Sequence, residues 1–216
     1  MPMIDLGEAM RNASNDEFWA IRGKAIQAYA NIEQSLARIF AMLSGTTQEV
    51  AGVIFFRISS TDSRNKILEK LFKKKFNDRF NVFRNSLFEQ LRPIDIERNE
   101  IVHWNVVNQV GADKEGKTIA KVTLMPPNFW VPDTNTPIKD TAILVAFISK
   151  CDFYSKLCNM FNIMVGNVAL VPIPDADKQP WLDIFSQPIV YPPPLDHPLS
   201  PKPQEHDNPS QSFQLK

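Results

Sequence analysis

Apolar residues recur every three or four positions along the first part of the chain, which is the spacing of one face of an α-helix. This stripe consists of Phe18, Ile21, Ala25, Ala28, Ile32, Leu36, Ile39 and Leu43. A capping box at Ser14–Glu17 favours a helix start just before the stripe, and Gly45 favours a stop just after it. We therefore predict one long helix between these two signals.

Two further helices are predicted from the residues that follow. Thr46 or Thr47 suits the N-cap of the first, and its centre, Val53–Phe56, is apolar on all sides, which predicts a buried helix. A residue within Ser59–Thr61 caps the second, and we expect a break near Asn77–Asp78. The apolar stripe of this region is Ile67, Leu68, Leu71, Phe72, Phe76, Phe80, Phe83 and Leu87.

Pro93 predicts the start of another helix, because its missing N–H costs little in a first turn. Apolar residues then flank Gly111–Gly116, which predicts a small β-hairpin at about residues 105–125. Asp140 or Thr141 opens a last long helix. Its core positions are Ala142, Val145, Ile148, Phe153, Leu157, Met160 and Met164. We predict an all-α fold: a four- to five-helix bundle with a small β-hairpin insertion and a proline-rich C-terminal tail.

Prolines divide the chain into two parts. Six of the 17 lie in residues 1–170, and eleven lie in residues 171–216. Proline at that density removes helical hydrogen bonds, and few apolar residues follow Tyr191. We therefore expect a helical domain at 14–170 and a largely extended or disordered tail at 171–216. Four residues early in the tail offer it an anchor on the domain: Trp181, Leu182, Ile184 and Phe185.

Composition narrows the class of protein. The 24 basic and 24 acidic residues cancel, which argues against a general polyanion binder, although residues 57–100 carry 11 basic and 7 acidic side chains. Cys151 and Cys158 are two helical turns apart, so we expect reduced core thiols. The start of the chain has no signal-peptide pattern, and no apolar run reaches 18 residues. We expect a cytoplasmic protein without a membrane partner, a metal or a cofactor.

One segment carries a candidate set of reactive side chains. Asp95, Asn99 and His103 form a polar stripe at four-residue spacing on a predicted helix, and Arg98 flanks that stripe. Arginine is permanently charged and binds phosphate oxygens in a fork geometry, and histidine exchanges a proton near neutral pH. This helix can therefore bury an apolar side and still present a set of residues suited to phosphate chemistry. His103 is the only histidine outside the predicted tail.

The segment Arg98-Asn99-x-x-x-His103 resembles the R-x4–6-H motif of the HEPN superfamily of helical-bundle ribonucleases, in which a polar residue follows the arginine. The likeness is strongest over residues 18–105. It implies a homodimer that cleaves RNA without a metal at a composite site, with the histidine assisting proton transfer at the ribose 2′-OH. It implies that the arginine stabilises the transition state, that a cyclic phosphate is left, and that the setting is toxin action or antiviral defence. Asn105 replaces the Tyr that one toxin subgroup has two positions after the histidine.

Three alternatives stay open beside the endoribonuclease, for which Arg98, His103 and Asn99 are the catalytic candidates and Asp95 a supporting one. The first is a catalytically silent HEPN-like interaction or regulatory module, whose tail binds or regulates a partner or inhibitor protein. The second is a sensor of a small molecule or nucleotide that uses the same polar groove. In the third, Arg98 only pairs with Asp95 or a nearby Glu. Lys73, Lys74 and Lys75 are either guides for an RNA backbone or an ordinary solvated helix face.

Overall fold

A computed structural model describes residues 15–112, 118–128, 136–166 and 172–200. Within these ranges the chain is mostly helical, with one two-stranded antiparallel sheet. The elements are α1 (Asn15–Ser44), α2 (Gln48–Arg57), α3 (Thr61–Phe76), α4 (Asn81–His103), β1 (Asn105–Ala112), β2 (Thr118–Met125), α5 (Thr141–Gly166) and α6 (Asp175–Ile184). The predicted helical fold with a small hairpin is thereby confirmed. Ser14, the first residue of the predicted capping box, lies outside the described residues.

Local signals in the sequence set most of the helix ends. Gly45 follows α1 with φ 73° and Asn77 follows α3 with φ 51°, the left-handed region that ends a helix. Thr47, Ser60 and Asp140 each accept a hydrogen bond from the backbone N–H three residues later, at 3.1–3.3 Å. These bonds satisfy N–H groups that have no partner inside the helix. The predicted caps and the break after α3 are confirmed.

Helix α4 is one continuous helix, so the prediction that Pro93 starts a new helix is wrong. Pro93 lies inside α4 and is exposed, whereas Leu91 before it and Ile94 after it are each 1% exposed. Because Pro93 faces outward, the carbonyl that loses its helical partner lies on the solvent side. Burial of the flanking apolar residues favours a continuous helix over a break.

The core is formed around a central pair of helices, α1 and α5, against which the other elements pack. Phe161 of α5 is fully buried. Five aromatic rings surround it at centroid distances of 5.0–6.1 Å, and these belong to Phe72, Phe76, Phe80, Phe83 and Phe185. Aromatic pairs in this distance range contribute beyond the area that they bury. This cluster holds α3, α4 and the residue after α6 against α5.

The hairpin joins the end of α4 to the start of α5. β1 and β2 pair from Asn105 opposite Met125, and Leu124 exchanges two backbone hydrogen bonds with Lys139, at 2.8 and 3.0 Å. Lys121 also forms an ion pair of 2.6 Å with Asp140, the residue just before α5. The hairpin therefore fixes how the chain leaves α4.

Helix α2 is buried on one side only, so the prediction that its apolar centre is buried all round is wrong. Ala51 and Phe55 face the core, but Val53, Ile54 and Phe56 are 68%, 43% and 51% exposed. The helix lies at the edge of the bundle, where its principal neighbour is α1. A helix with one neighbour can bury only one face.

Residues 172–200 pack on the bundle, so this part of the predicted tail is not disordered, and α6 within it is helical rather than extended. Phe185 is fully buried, as the predicted anchor requires. We call residues 186–200 the C-terminal strap. Within it, Ile189 N donates to Ser86 Oγ at 2.9 Å, and the Tyr191 ring lies 5.5 Å from that of Phe153. A few aromatic and apolar anchors are enough to hold a proline-rich segment. Residues 201–216 lie outside the described residues, and the division at residue 170 stays a prediction.

Both cysteines are buried in α5 and free, as expected. Burial raises the pKa of the Cys151 and Cys158 thiols to about 12. None of the helices in the described ranges is alone long and apolar enough to cross a membrane. Helices α1 and α2 meet that test only when taken together, across a bend of 116°.

Candidate functional site

The predicted site residues lie on the second half of α4. Asn99 and His103 are exposed, whereas Asp95 and Arg98 are half-buried. His103 is the last residue of the helix, and its imidazole faces solvent. The four side chains therefore form a polar strip that is most exposed at its C-terminal end.

A residue that the sequence analysis did not select connects two members of this strip. Tyr29 of α1 is 3% exposed, and its hydroxyl donates a short hydrogen bond to a carboxylate oxygen of Asp95. The Arg98 guanidinium carbon lies 4.6 Å from the centroid of the Tyr29 ring, a cation–π contact. Tyr29 lies four residues, about one helical turn, after Ala25, a member of the core stripe, which places Tyr29 on the buried side of α1. A buried tyrosine hydroxyl requires a hydrogen-bond partner, and this requirement is the sequence signal that could have indicated the contact.

The Arg98 side chain is hydrogen-bonded to the side chain of Asn99. Its Nη1 donates to Asn99 Oδ1 at 2.9 Å, while its Nε is buried without a hydrogen-bond partner among the described atoms. Arg98 and Asp95 form no direct ion pair within 4 Å, so the alternative in which these two side chains simply pair is not what the structure shows. Tyr29 and Asn99 hold the guanidinium instead.

Burial of Asp95 has an electrostatic consequence. Desolvation raises the pKa of the Asp95 carboxyl, against the lowering effects of the Tyr29 hydrogen bond and the Arg98 charge. Burial and the same hydrogen bond raise the pKa of Tyr29. Tyr29 therefore stays a hydrogen-bond donor at neutral pH.

Arg22 of α1 holds the C-terminal end of α4. Its Nε donates to Ile101 O at 2.9 Å, and its Nη2 donates to Val102 O at 2.9 Å and to Trp104 O at 3.3 Å. Carbonyls in the last turn of a helix have no helical partner, and a cation there also offsets the helix dipole. His103 lies between the carbonyls that Arg22 binds. Sequence reasoning missed this contact, and we find no local signal that would have indicated it.

Another group of charges surrounds the same helix end. Lys139 Nζ lies 2.9 Å from Glu100 Oε2 and 5.2 Å from the centroid of the Trp104 ring. Lys150 Nζ lies 3.4 Å from Glu97 Oε2. These contacts tie α4 to the residues at the start of α5, so the end of α4 is held by two neighbours, α1 and α5.

The structure does not bring the three predicted RNA-binding lysines close to His103. Lys73, Lys74 and Lys75 are exposed in the last turn of α3. Asp62 near the start of α3 and Asp95 in the second half of α4 line the same cavity. The chain therefore turns after Phe76, and α4 runs antiparallel to α3. The lysines thus lie beside the start of α4, on the order of 30 Å along the helix axis from His103.

Among the described residues, no three His, Cys, Asp or Glu side chains come together in an arrangement that could hold a metal ion.

Comparison of the chain with known protein families, with curated proteins and with solved structures finds no match. Chemically, the strip on α4 offers an exposed imidazole for proton transfer and a guanidinium with a fixed orientation for an anion.

Proposed function

We propose that this chain is an endoribonuclease that cleaves RNA by attack of a ribose 2′-OH on the adjacent phosphate, with Arg98 and His103 as the catalytic residues and without a required metal. The observation that carries the proposal is the fixed Arg98. A guanidinium stacked on Tyr29 and hydrogen-bonded to Asn99 is held by two contacts before a substrate arrives. The exposed His103 lies five residues further along the same helix. The motif resemblance supplies the reaction type.

The reaction balances without a co-reactant. The 2′ oxygen bonds to phosphorus and loses its proton to a base, while the bond from phosphorus to the 5′ oxygen breaks and that oxygen takes a proton. The products are a 2′,3′-cyclic phosphate and a 5′-hydroxyl. His103 would carry out proton transfer, and Arg98 would stabilise the negative charge on the phosphorane-like transition state. Asn99 would orient Arg98, and Asp95 would support it through Tyr29.

A homodimer fits this chemistry. One imidazole cannot accept the 2′ proton and donate the 5′ proton at the same moment, so a second copy of the chain would supply the second His103. His103 and Asn99 are exposed and open to such a copy. An RNase of this kind would act in the cytoplasm on RNA, in toxin action or antiviral defence, and would need an inhibitor or regulatory protein to protect the host. Specific activity that falls on dilution would support the composite site.

The test is cleavage of a mixed RNA in excess EDTA by wild type, Arg98→Ala and His103→Ala. Arg57→Ala and His197→Ala are matched controls, since Arg57 is exposed on α2 and His197 lies in the strap. We expect wild type and both controls to cleave and the two site variants to lose about 100-fold or more in rate. The products should end in 2′,3′-cyclic phosphate, and RNA methylated at every 2′ oxygen should resist.

Two results would overturn the proposal. One is the absence of cleavage by correctly folded wild type. The other is equal cleavage by wild type, Arg98→Ala and His103→Ala, which would assign the activity to a contaminant or to another site.

A second candidate function is a catalytically silent helical interaction module, which the exposed apolar face of α2 favours. Val50, Val53, Ile54 and Phe56 are 43–68% exposed on one short helix, and exposed apolar patches mark protein interfaces. This candidate predicts no RNA cleavage. It also predicts that Val53→Asp, which leaves the core unchanged, abolishes binding to a protein partner purified with the chain.

A further inference from the structure

A small polar cavity of about 110 Å³ lies between α3 and α4, one helical turn before Arg98. Its lining consists of Asp62, Asn65, Lys66, Glu69, Phe88, Arg92 and Asp95. Two of the lining charges are already engaged within the protein, because Lys66 pairs with Asp62 at 2.6 Å and Asp95 accepts the bond from Tyr29. The cavity volume is far below the roughly 300–1,000 Å³ of pockets that hold whole drug-sized ligands, so we consider a ligand group of the size of one heterocyclic base rather than a whole nucleotide.

Two charged lining groups have no partner among the described residues. The side chains of Glu69 and Arg92 are exposed and form no ion pair or hydrogen bond there. The side-chain oxygen of Asn65 is also unpaired, but it has almost no accessible surface, so a molecule in the cavity does not reach it. Together Glu69 and Arg92 offer a carboxylate and a guanidinium fork to one small space with an apolar floor, Phe88.

The chemistry that complements these groups is that of guanine. Arginine binds the O6 and N7 acceptors of guanine through two parallel hydrogen bonds, the most frequent specific contact to a base. The opposite edge of guanine carries the N1–H and 2-amino donors, from which the two oxygens of one carboxylate can accept. Adenine carries an amino donor at the position where guanine has the O6 acceptor, so the same arginine does not fit it. Proteins read single-stranded RNA in this way, by taking an unstacked base into a pocket.

We propose that this cavity receives the guanine base of a nucleotide next to the scissile phosphate, with Arg92 donating to O6 and N7 and with the Glu69 carboxylate accepting from N1–H and the 2-amino group. The inference rests on the proposed function, because it takes RNA as the substrate. Arg92 precedes Arg98 by six residues, or about 9 Å along the helix axis. The cavity is therefore within reach of a neighbouring nucleotide when a phosphate lies at Arg98.

The test separates binding from cleavage by using the His103→Ala chain in titration calorimetry. The probes are GMP, AMP and IMP, which lacks the 2-amino group, and 2′-O-methyl tetranucleotides that carry one guanine or one hypoxanthine. We expect GMP to bind at least 10-fold more tightly than AMP or IMP, and the guanine tetranucleotide to show the same preference. Glu69→Gln and Arg92→Gln should remove the preference. Glu89→Gln and Arg57→Gln, exposed residues outside the cavity, should keep it.

Equal affinity for GMP and IMP, or loss of the preference in the control variants, would overturn the guanine site. A preference for free GMP that the tetranucleotides lack would overturn the RNA subsite and assign the cavity to a free nucleotide. Mapping of RNA cleaved by wild type distinguishes this inference from the proposed function: cleavage without preference for a neighbouring guanine rejects the subsite and keeps the nuclease. No cleavage, together with guanine-specific binding, rejects the nuclease.

Discussion

The guanidinium of Arg98 lies 4.6 Å from the centroid of the Tyr29 ring, so a residue of α1 sets the orientation of the candidate catalytic arginine on α4. The Tyr29 hydroxyl also bonds to Asp95, one turn before Arg98 on the same helix. A single buried tyrosine thus contacts two of the four candidate residues on α4. We expect a positioning role for Tyr29, since this residue is 3% exposed and Arg98 lies over its ring.

This role predicts different effects of two substitutions at Tyr29. Tyr29→Phe keeps the ring under Arg98 and should keep kcat for RNA cleavage within a few-fold, at a stability cost of about 1–2 kcal/mol for the lost hydrogen bond. Tyr29→Leu removes the stack and should lower kcat by about 10-fold or more with little change in KM. Steady-state kinetics and urea unfolding measure both effects. Equal kcat in the two variants would contradict the positioning role.

Asp95 should make stability depend on pH in a known direction. Its pKa in the folded protein is raised, so between the unfolded value of about 3.9 and the folded value the folded protein binds more protons than the unfolded chain. The contribution of Asp95 to the free energy of unfolding is therefore present at low pH and falls as the pH rises through the folded pKa. Asp95→Asn removes this dependence.

Urea unfolding of wild type and Asp95→Asn from pH 3.5 to 7 measures the effect. The stability of the variant relative to wild type should increase as the pH rises. A relative stability that decreases over this range would mean that Arg98 and Tyr29 outweigh burial at Asp95.

Arg22 should contribute to stability through the end of α4. Arg22→Ala leaves three carbonyl oxygens without their donor, and we expect a loss of about 2 kcal/mol in the free energy of unfolding. Lys24→Ala, an exposed residue on the same helix, should change it by less than about 0.5 kcal/mol. Chemical denaturation followed by circular dichroism tests this, and equal effects of the two variants would contradict the contact.

Phe185 tests whether the chain after α6 belongs to the core. Its ring lies 5.0 Å from that of Phe161 and 5.1 Å from that of Phe83, and it is fully buried. Phe185→Ala should cost about 3–5 kcal/mol. Leu195→Ala, at a strap residue that is 91% exposed, should cost almost nothing. If Phe185→Ala were as stable as wild type in thermal unfolding, this segment would not be anchored.

The sequence predicts those parts of the structure that depend on neighbouring residues, and it does not predict those that depend on residues distant in the chain. Gly45, Asn77 and Thr47 act within one turn of helix, and their roles were predicted. The apolar composition of α2 predicts burial on all sides, because composition does not show how many neighbours a helix has. Pro93 predicts a helix start, because the burial on both sides of it is a tertiary effect that neighbouring residues do not show.

The candidate site divides in the same way. Asp95, Arg98, Asn99 and His103 were recognised because they are close in sequence, and the hydrogen bond from Arg98 to Asn99 spans one residue. Tyr29 and Arg22 act on α4 from 66 and at least 79 residues away. A single sequence carries no information on such pairs beyond the requirement that buried polar groups be satisfied.

The most direct measurement is the initial rate of RNA cleavage in excess EDTA by purified wild type and by His103→Ala at the same protein concentration, after circular dichroism has shown the same helical content. We expect cleavage by wild type and a rate at least about 100-fold lower for the variant. Equal rates for the two proteins, or no cleavage by folded wild type, would contradict this expectation.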